Sequence, residues 1–252
     1  MSITPDGWFS FAQREPGPAD KVYSQQNSAE WFIAHSAVGY YGGWTNRLFA
    51  KDRGPDGRYT AYAAASIHGW NAYDGTFIQH YPITASCWGS GSFTPNTRAI
   101  AIENEGGAPG NEFEPLTGPQ KLTIVRILED LAEWRGVGVD YWKRPTSAQD
   151  ATATLYEHRE CVRFGSLPTA CPSNRIPWDS ILELLQEDDV EMNIADLEAD
   201  MLQEELRREV IRTLMRSDYQ FALRDNDPKT GEPIIEVLSG KGTDEAIRIR
   251  VR

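Results

Sequence analysis

Two short apolar runs, each ending on a polar side chain, most constrain how this chain can fold. Residues Trp31–His35 read Trp-Phe-Ile-Ala-His, and residues Arg98–Glu103 end in Ile-Ala-Ile-Glu. Apolar runs of this length are typical of buried β-strands. We therefore expect two core strands, and the histidine that ends the first can project into a site at the edge of the sheet.

Turn and capping signals place further elements around these strands. A small-residue run over 60–70 is expected to form a strand, and Asp74-Gly75 predicts the turn to its hairpin partner. Thr117-Gly-Pro-Gln predicts the start of a helix by a capping box, Gly136 its end, and residues 180–186 a shorter helix. Strands and helices mix without strict βαβ alternation, which favours an α/β fold with a mixed central sheet flanked by helices.

Composition excludes several classes of protein. The net charge is −12 with a pI near 4.8, and no Lys/Arg cluster resembles a phosphate-tracking surface, which argues against nucleic acid as a partner. No apolar run approaches the ~18 residues of a membrane span. The first residues lack both a basic and an apolar signal region, so we expect synthesis without a signal peptide. Three cysteines favour a reducing compartment or metal ligation over disulfides.

The composition shifts near Gln186. Residues 188–252 contain 16 acidic and 10 basic side chains, a net of −6, which is half of the total net charge on about a quarter of the chain. We predict one domain over 1–187, including an irregular segment over 1–30, and a small C-terminal appendage over 188–252. The appendage is expected to begin with a long helix and to end in a short hairpin.

The chain has only four histidines, so their positions are informative. His35 ends the first predicted strand, and His158 precedes Cys171 by 13 residues. Two imidazoles and one thiolate can form a three-ligand zinc site that keeps a fourth position open. The alternative is that these histidines are buried and hydrogen-bonded, and the spacing by itself leaves both interpretations open.

Several ordered motifs make residues 31–186 similar to a known family. These motifs are Phe32–His35, Ala65–His68 followed by Asp74–Thr76 and Gln79, Asn96–Glu103, Thr117 with Gln120, His158–Glu160 and Thr169–Pro172. Together they resemble the zinc-dependent N-acetylmuramoyl-L-alanine amidases of type 2, a group that includes bacteriophage endolysins and peptidoglycan recognition proteins. The resemblance excludes the first thirty residues and the appendage.

The resemblance implies roles for five residues. His35, His158 and Cys171 match the family's zinc ligands, so Zn²⁺ is the expected cofactor. Glu103 matches a glutamate that acts as general base, and Thr169 matches a position that supports the developing oxyanion. Many endolysins carry a tyrosine where this chain has Ala65, which gives more weight to the glutamate. Ser173 replaces the family's usual glycine after Cys-Pro.

Four further residues are candidates for substrate binding. His68 is expected to line or support the cleft, with a fourth metal ligand as the competing interpretation. Trp70 and Asn46 lie near the expected cleft and could contact sugar or stem peptide. Arg159, which matches the family's His-Arg pair, contacts either substrate or a neighbouring charge. Each of them also has a purely structural interpretation.

The expected function is hydrolysis of the amide between N-acetylmuramate and L-alanine in bacterial peptidoglycan. A phage-type endolysin would act on the wall after release, whereas a recycling enzyme would act on cytoplasmic muropeptides. The rival is a non-catalytic peptidoglycan-binding protein, a branch that commonly loses the cysteine present here as Cys171; a zinc amidase for another amide also remains open. The acidic appendage favours homo-oligomerisation or packing over wall binding, because the wall is polyanionic.

Overall fold

The computed structural model describes residues 2–107 and 112–186, together with three strands nearer the C-terminus. The chain divides into two compact units, Met1–Asp188 and Asp189–Arg252. In the first unit the strands are β1 Gln13–Arg14, β2 Val22–Tyr23, β3 Trp31–Ser36, β4 Gly69–Asn71, β5 Phe77–Gln79, β6 Ser86–Cys87, β7 Ala99–Asn104 and β8 Leu155–Glu157.

A mixed six-stranded sheet forms the centre of the first unit, in the order β1-β5-β4-β7-β3-β8. Only the β4–β5 pair is antiparallel; the other neighbours run parallel. Strands β2 and β6 form a separate antiparallel pair. The helices are α1 Tyr41–Phe49, α2 Phe93–Arg98, α3 Gly118–Arg135 and α4 Trp178–Gln186, with 3-10 turns at Val139–Tyr141 and His158–Phe164. The expected α/β class is confirmed.

The local signals in the sequence correspond to real turns and caps. Gly75 has φ +81° in the β4–β5 turn, a conformation that glycine adopts without steric cost. At the start of α3 the Thr117 hydroxyl accepts from the Gln120 amide, and the Gln120 side chain bonds back to the Thr117 amide. Gly136 ends α3 in the left-handed conformation.

The two faces of the sheet pack against different clusters. Phe32 and Ala34 of β3, with Ile100 and Ile102 of β7, belong to the cluster that contains α3 and α4 residues. The alternate residues of both strands belong to a second cluster that contains Trp44 and Leu48 of α1. Because side chains alternate along a strand, His35 and Glu103 project from this second face.

The run over 60–70, which was expected to form a strand, is a strand only from Gly69 onward, since residues 60–68 form turns and loop.

The second unit contains a three-stranded antiparallel sheet in the order β11-β10-β9. Its strands are β9 Gln220–Arg224, β10 Ile234–Leu238 and β11 Ile247–Arg250. The long helix expected at the start of the appendage lies outside the described residues. No helix in the described ranges is long and apolar enough to cross a membrane.

Candidate metal centre

The carboxyl ends of β3 and β7 create the site. The two strands are parallel neighbours, and His35 is the register partner of Glu103. Both side chains lie on the same face because the strands share the two-residue period of side-chain direction. The sheet therefore presents an imidazole and a carboxylate side by side at one edge.

Two further side chains complete a cluster around His35. His158 follows β8, which pairs with β3 on its other side, and its ring centroid lies 4.5 Å from that of His35. The donor atoms of His35, His158 and Cys171 all lie within 4.8 Å of one another. The Cys171 carbonyl accepts from the Arg159 amide at 2.8 Å, and its Sγ accepts from the Ser36 amide at 3.2 Å. These two contacts hold the loop that carries Cys171, here called the cysteine loop, against the 3-10 turn that begins at His158 and against the end of β3.

The donor chemistry of this cluster fits a metal ion. His35 Nε2 is buried and has no hydrogen-bond partner within the described part of the chain. Burial, with the positive charge of a protonated His158 as a second cause, lowers the pKa of His35 well below its ordinary value. Burial also lowers the pKa of His158. Neutral imidazole is the form that binds metal.

Cys171 also fits a metal site, although its pKa is shifted upward and those of the two histidines downward. Burial raises the pKa of its thiol, and the nearby Glu103 raises it further. A bound cation reverses this balance, because a coordinating thiol is deprotonated outright. Two imidazoles and a thiolate form the donor set of a zinc site with an open fourth position.

The cluster lines a cleft with a volume of about 750 Å³, and Glu103 and Thr169 line the same cleft. Glu103 is half-buried, and its Oε2 has no hydrogen-bond partner among the described residues. Burial raises the pKa of Glu103 to about 7, although the positive charges of Arg47 and Arg175 oppose the shift. A carboxyl group that titrates near neutral pH is suited to accepting and returning a proton.

Thr169 is fixed by the cysteine loop. Its Oγ1 accepts from the Cys171 amide at 3.2 Å. A hydroxyl that accepts in this way still carries its own proton. That proton is available for donation to a group in the cleft.

His68 and Trp70 are not among the residues that line this cleft, and their contact with substrate stays a prediction. His68 is fully buried, its Nδ1 accepts from the Ala101 amide at 3.0 Å, and its Nε2 lies 2.8 Å from the Ala85 carbonyl oxygen. Both ring nitrogens are occupied, so His68 supports the fold and is not a fourth ligand. Trp70 is fully buried in the second core cluster.

Asn46 and Arg159 also lie outside the cleft lining. Asn46 is exposed on α1, whereas the next residue, Arg47, lines the cleft. Successive helical residues point about 100° apart, so the two side chains leave the helix in different directions. Arg47 is also a candidate donor to the stem peptide, and substrate contact by Asn46 stays a prediction. Arg159 Nε lies 2.5 Å from Glu157 Oε2, and its Nη1 donates to Asn174 at 2.6 Å. Its charge-partner interpretation is therefore the one that fits.

Sequence reasoning missed Arg175, which is fully buried behind the cluster. A single arginine in a loop has no local pattern that predicts burial, so nothing in the sequence could have singled it out. The other two cysteines, Cys87 and Cys161, are buried and do not belong to the cluster. Neither one lines the cleft.

Comparison with known proteins adds three solved structures. An N-acetylmuramoyl-L-alanine amidase, LysC from Clostridium intestinale, is 18% identical over 70% of this chain and 98% of its own, with a TM-score of 0.45. The hydrolase AmiA of Staphylococcus aureus is 15% identical over 70% and 82%, with a TM-score of 0.44. The Ph2119 endolysin of a Thermus scotoductus bacteriophage is 14% identical over 67% and 92%, with a TM-score of 0.40.

No protein-family model and no curated protein matches the sequence. Among the solved structures that resemble this chain are an N-acetylmuramoyl-L-alanine amidase and an endolysin.

Proposed function

We propose that the first unit is a zinc-dependent N-acetylmuramoyl-L-alanine amidase that hydrolyses the bond between N-acetylmuramate and the L-alanine of the stem peptide. The observation that carries this proposal is the convergence of His35, His158, Cys171 and Glu103 on one cleft. A metal-ligand set beside a carboxylate of near-neutral pKa is an arrangement suited to hydrolysis of an amide. The choice of amide rests on the motif resemblance.

Metal binding, proton transfer and stabilisation of the oxyanion are assigned to different residues. His35, His158 and Cys171 would hold Zn²⁺, which when bound lowers the pKa of a water molecule and polarises the scissile carbonyl. Glu103 accepts a proton from the attacking water and returns it to the leaving amine. The Thr169 hydroxyl donates a hydrogen bond to the carbonyl oxygen as negative charge develops there.

Mass spectrometry of digested, purified peptidoglycan tests this proposal. Wild type is expected to release stem peptides that begin with alanine, and Cys171→Ser and Glu103→Ala are expected to release none. Cys161→Ala is the matched control, because it removes a buried thiol outside the cluster and should keep activity. Intact glycopeptides, with wild type still pelleting with the wall, would instead identify the rival, a non-catalytic binding protein.

The setting of the reaction is part of the proposal. We infer a phage-type endolysin that reaches the wall after release, with muropeptide recycling in the cytoplasm as the alternative. An endolysin lyses intact cell walls, whereas a recycling enzyme prefers soluble muropeptides. Relative rates on these two substrates distinguish the alternatives.

For residues 188–252 we propose self-association or packing in place of wall binding, since their net charge of −6 opposes a polyanionic wall. Light scattering of the full chain and of a chain ending at Gln186 tests self-association. Pelleting of both with purified walls tests wall binding. Equal oligomeric state in the two chains would remove self-association, and equal pelleting would remove wall binding.

A further inference from the structure

Arg175 is a buried cation that no step of the proposed reaction uses. It is 1% exposed, among the largest fully buried side chains of the first unit. Its Nε donates to the Glu114 carbonyl oxygen at 2.6 Å, and its Nη2 donates to the Glu105 carbonyl oxygen at 2.8 Å. Its Nη1 donates to Ser36 Oγ at 2.7 Å and to the Asn104 carbonyl oxygen at 3.3 Å. These acceptors are all uncharged oxygens.

The acceptors lie directly beyond the functional residues. Ser36 follows His35 at the end of β3, and Asn104 follows Glu103 at the end of β7. The Arg175 amide donates to the Pro172 carbonyl oxygen at 3.2 Å, next to Cys171. Arg175 therefore joins the three segments that carry two metal ligands and the proposed base, the ends of β3 and β7 through its guanidinium and the Cys171 segment through its backbone amide.

The backbone around Arg175 leaves room for it. A Cβ on Gly106 would overlap Arg175 Nη2, and a Cβ on Gly107 would lie 2.6 Å from Ser36 Oγ and 3.1 Å from Arg175 Cδ. Both glycines have positive φ, +104° and +67°, which other residues rarely adopt. The chain thus uses two consecutive glycines where the guanidinium crosses from β7 to β3.

We propose that Arg175 is a positioning residue, which fixes Ser36, the Cys171 loop and the end of β7 in the geometry that binds the metal ion beside Glu103. The inference rests on the proposed function and goes beyond it. A planar guanidinium with several fixed donors can join three segments at once, whereas a lysine ammonium is a point charge on a flexible stem. Partners that orient the residues around a metal typically change its affinity by about 10- to 100-fold when replaced.

The test measures zinc affinity of the metal-free protein by competition with a chromophoric chelator. Arg175→Lys is expected to weaken zinc binding by about 10-fold or more and to lower kcat with little change in KM. The thiolate-to-metal absorption of the Co²⁺ form should change as well, because the cysteine loop shifts. Ser36→Ala, which removes one acceptor and leaves the Ser36 amide in place, should weaken binding in the same direction by a smaller factor.

Arg98→Lys is the matched control. Arg98 is partly buried and donates two hydrogen bonds to Glu30 Oε2, through its Nε at 2.8 Å and through its Nη2. It directly precedes β7 and lies at the opposite end of that strand from Glu103. Its replacement should lower stability and leave zinc affinity unchanged.

Three outcomes are informative. If Ser36→Ala and folded Arg175→Lys both bind zinc as tightly as wild type, the inference about Arg175 is overturned and the proposed function is not. An equal loss of affinity in Arg98→Lys would also overturn it, because the effect would then be general destabilisation. Absence of zinc binding by wild type would overturn the proposed function itself. If Arg175→Lys does not fold, the zinc affinity and the Co²⁺ spectrum of Ser36→Ala, each compared with wild type, test the inference in its place.

Discussion

The four histidines fall into two regions that use the same side chain differently. His68 and His80 flank the β4–β5 hairpin, and both ring nitrogens of each are engaged; His80 contacts the Glu15 carbonyl oxygen at 2.8 Å and accepts from the Trp44 indole at 3.1 Å. His35 is equally buried at the end of β3, yet its Nε2 has no partner within the described ranges. Burial is common to both regions, so the missing partner distinguishes a candidate ligand from a structural residue.

The largest effect expected at the cleft is loss of hydrolysis in Glu103→Gln. Removing the base should lower kcat by roughly 10³-fold and leave the zinc content unchanged, since Glu103 is not one of the clustered ligands. The rate at which stem peptides are released from peptidoglycan measures kcat, and metal analysis of the purified variant measures the zinc content. Loss of zinc together with activity would place Glu103 among the ligands.

The same variant should gain stability in the metal-free protein at alkaline pH. The folded-state pKa of Glu103 is about 7, above the ~4.3 of an unperturbed glutamate. The folded state therefore binds more protons between these values, and the carboxylate destabilises the fold as pH rises through 7. Urea unfolding at pH 8 should show a higher midpoint for Glu103→Gln than for wild type, and a lower midpoint would contradict this account.

The structural histidine is expected to show the next largest effect, on the pH dependence of stability. Burial lowers the pKa of His68 to about 4, whereas the unfolded side chain titrates near ~6.5. Between these pH values the unfolded state binds more protons than the folded state. The contribution of neutral His68 to the free energy of unfolding is therefore fully present above pH 6.5 and falls by about 3 kcal/mol as the pH drops to 4. Urea unfolding of the metal-free protein at several pH values should give a flatter profile for His68→Gln.

His35→Gln sharpens this comparison as the matched variant. Because His35 Nε2 has no partner to lose, its replacement should cost the metal-free protein little stability at pH 7. His68→Gln should be clearly destabilised there, since it disrupts bonds to two backbone segments. Equal destabilisation by the two variants would remove the distinction between the regions.

Thr169→Val is expected to lower kcat by roughly 10²-fold, the effect of removing one donor to a developing oxyanion. Thr169→Ser keeps the hydroxyl and should stay within a few-fold of wild type. Initial rates on one peptidoglycan preparation measure both variants. Similar rates for valine and threonine would remove Thr169 from the proposed mechanism.

The smallest effect is expected beside Cys171, at Ser173. This residue has φ +59°, which costs a non-glycine residue about 1–2 kcal/mol, while glycine loses about 0.5–1 kcal/mol through chain entropy. Ser173→Gly should therefore raise the free energy of unfolding by about 0.5 kcal/mol, seen as a higher urea midpoint. Asn174→Gly should raise the free energy of unfolding less, although Asn174 has φ +61°. Asparagine tolerates this conformation, and glycine would lose the hydrogen bond that the Asn174 side chain accepts from Arg159.

The features of the fold that could be predicted were those with local causes. The Asp74-Gly75 turn and the two ends of α3 each depend on residues that are close together in the sequence. A short stretch of sequence is therefore enough to predict each of them. The run over 60–70 lacked such a signal, and its small residues form loop over most of their length. Which strands become neighbours, including β3 with β7, depends on contacts that no local pattern encodes.

The site was predictable where it follows strand ends and not where it depends on packing. His35 and Glu103 end apolar runs and therefore reach the sheet edge. Trp70 was expected in the cleft, yet Trp44 of α1 stacks beside it at 6.4 Å between ring centroids and helps to bury it. Arg175 could not be found because its acceptors come from β3, from β7 and from near α3, distant in sequence.

Zinc titration of the metal-free wild type, His35→Gln and His68→Gln tests the central claim most directly. The account predicts one zinc ion per chain in wild type and in folded His68→Gln, and loss of that binding in His35→Gln. Equal binding by the two variants, or no binding by wild type, would contradict the assignment of His35, His158 and Cys171 as a metal centre.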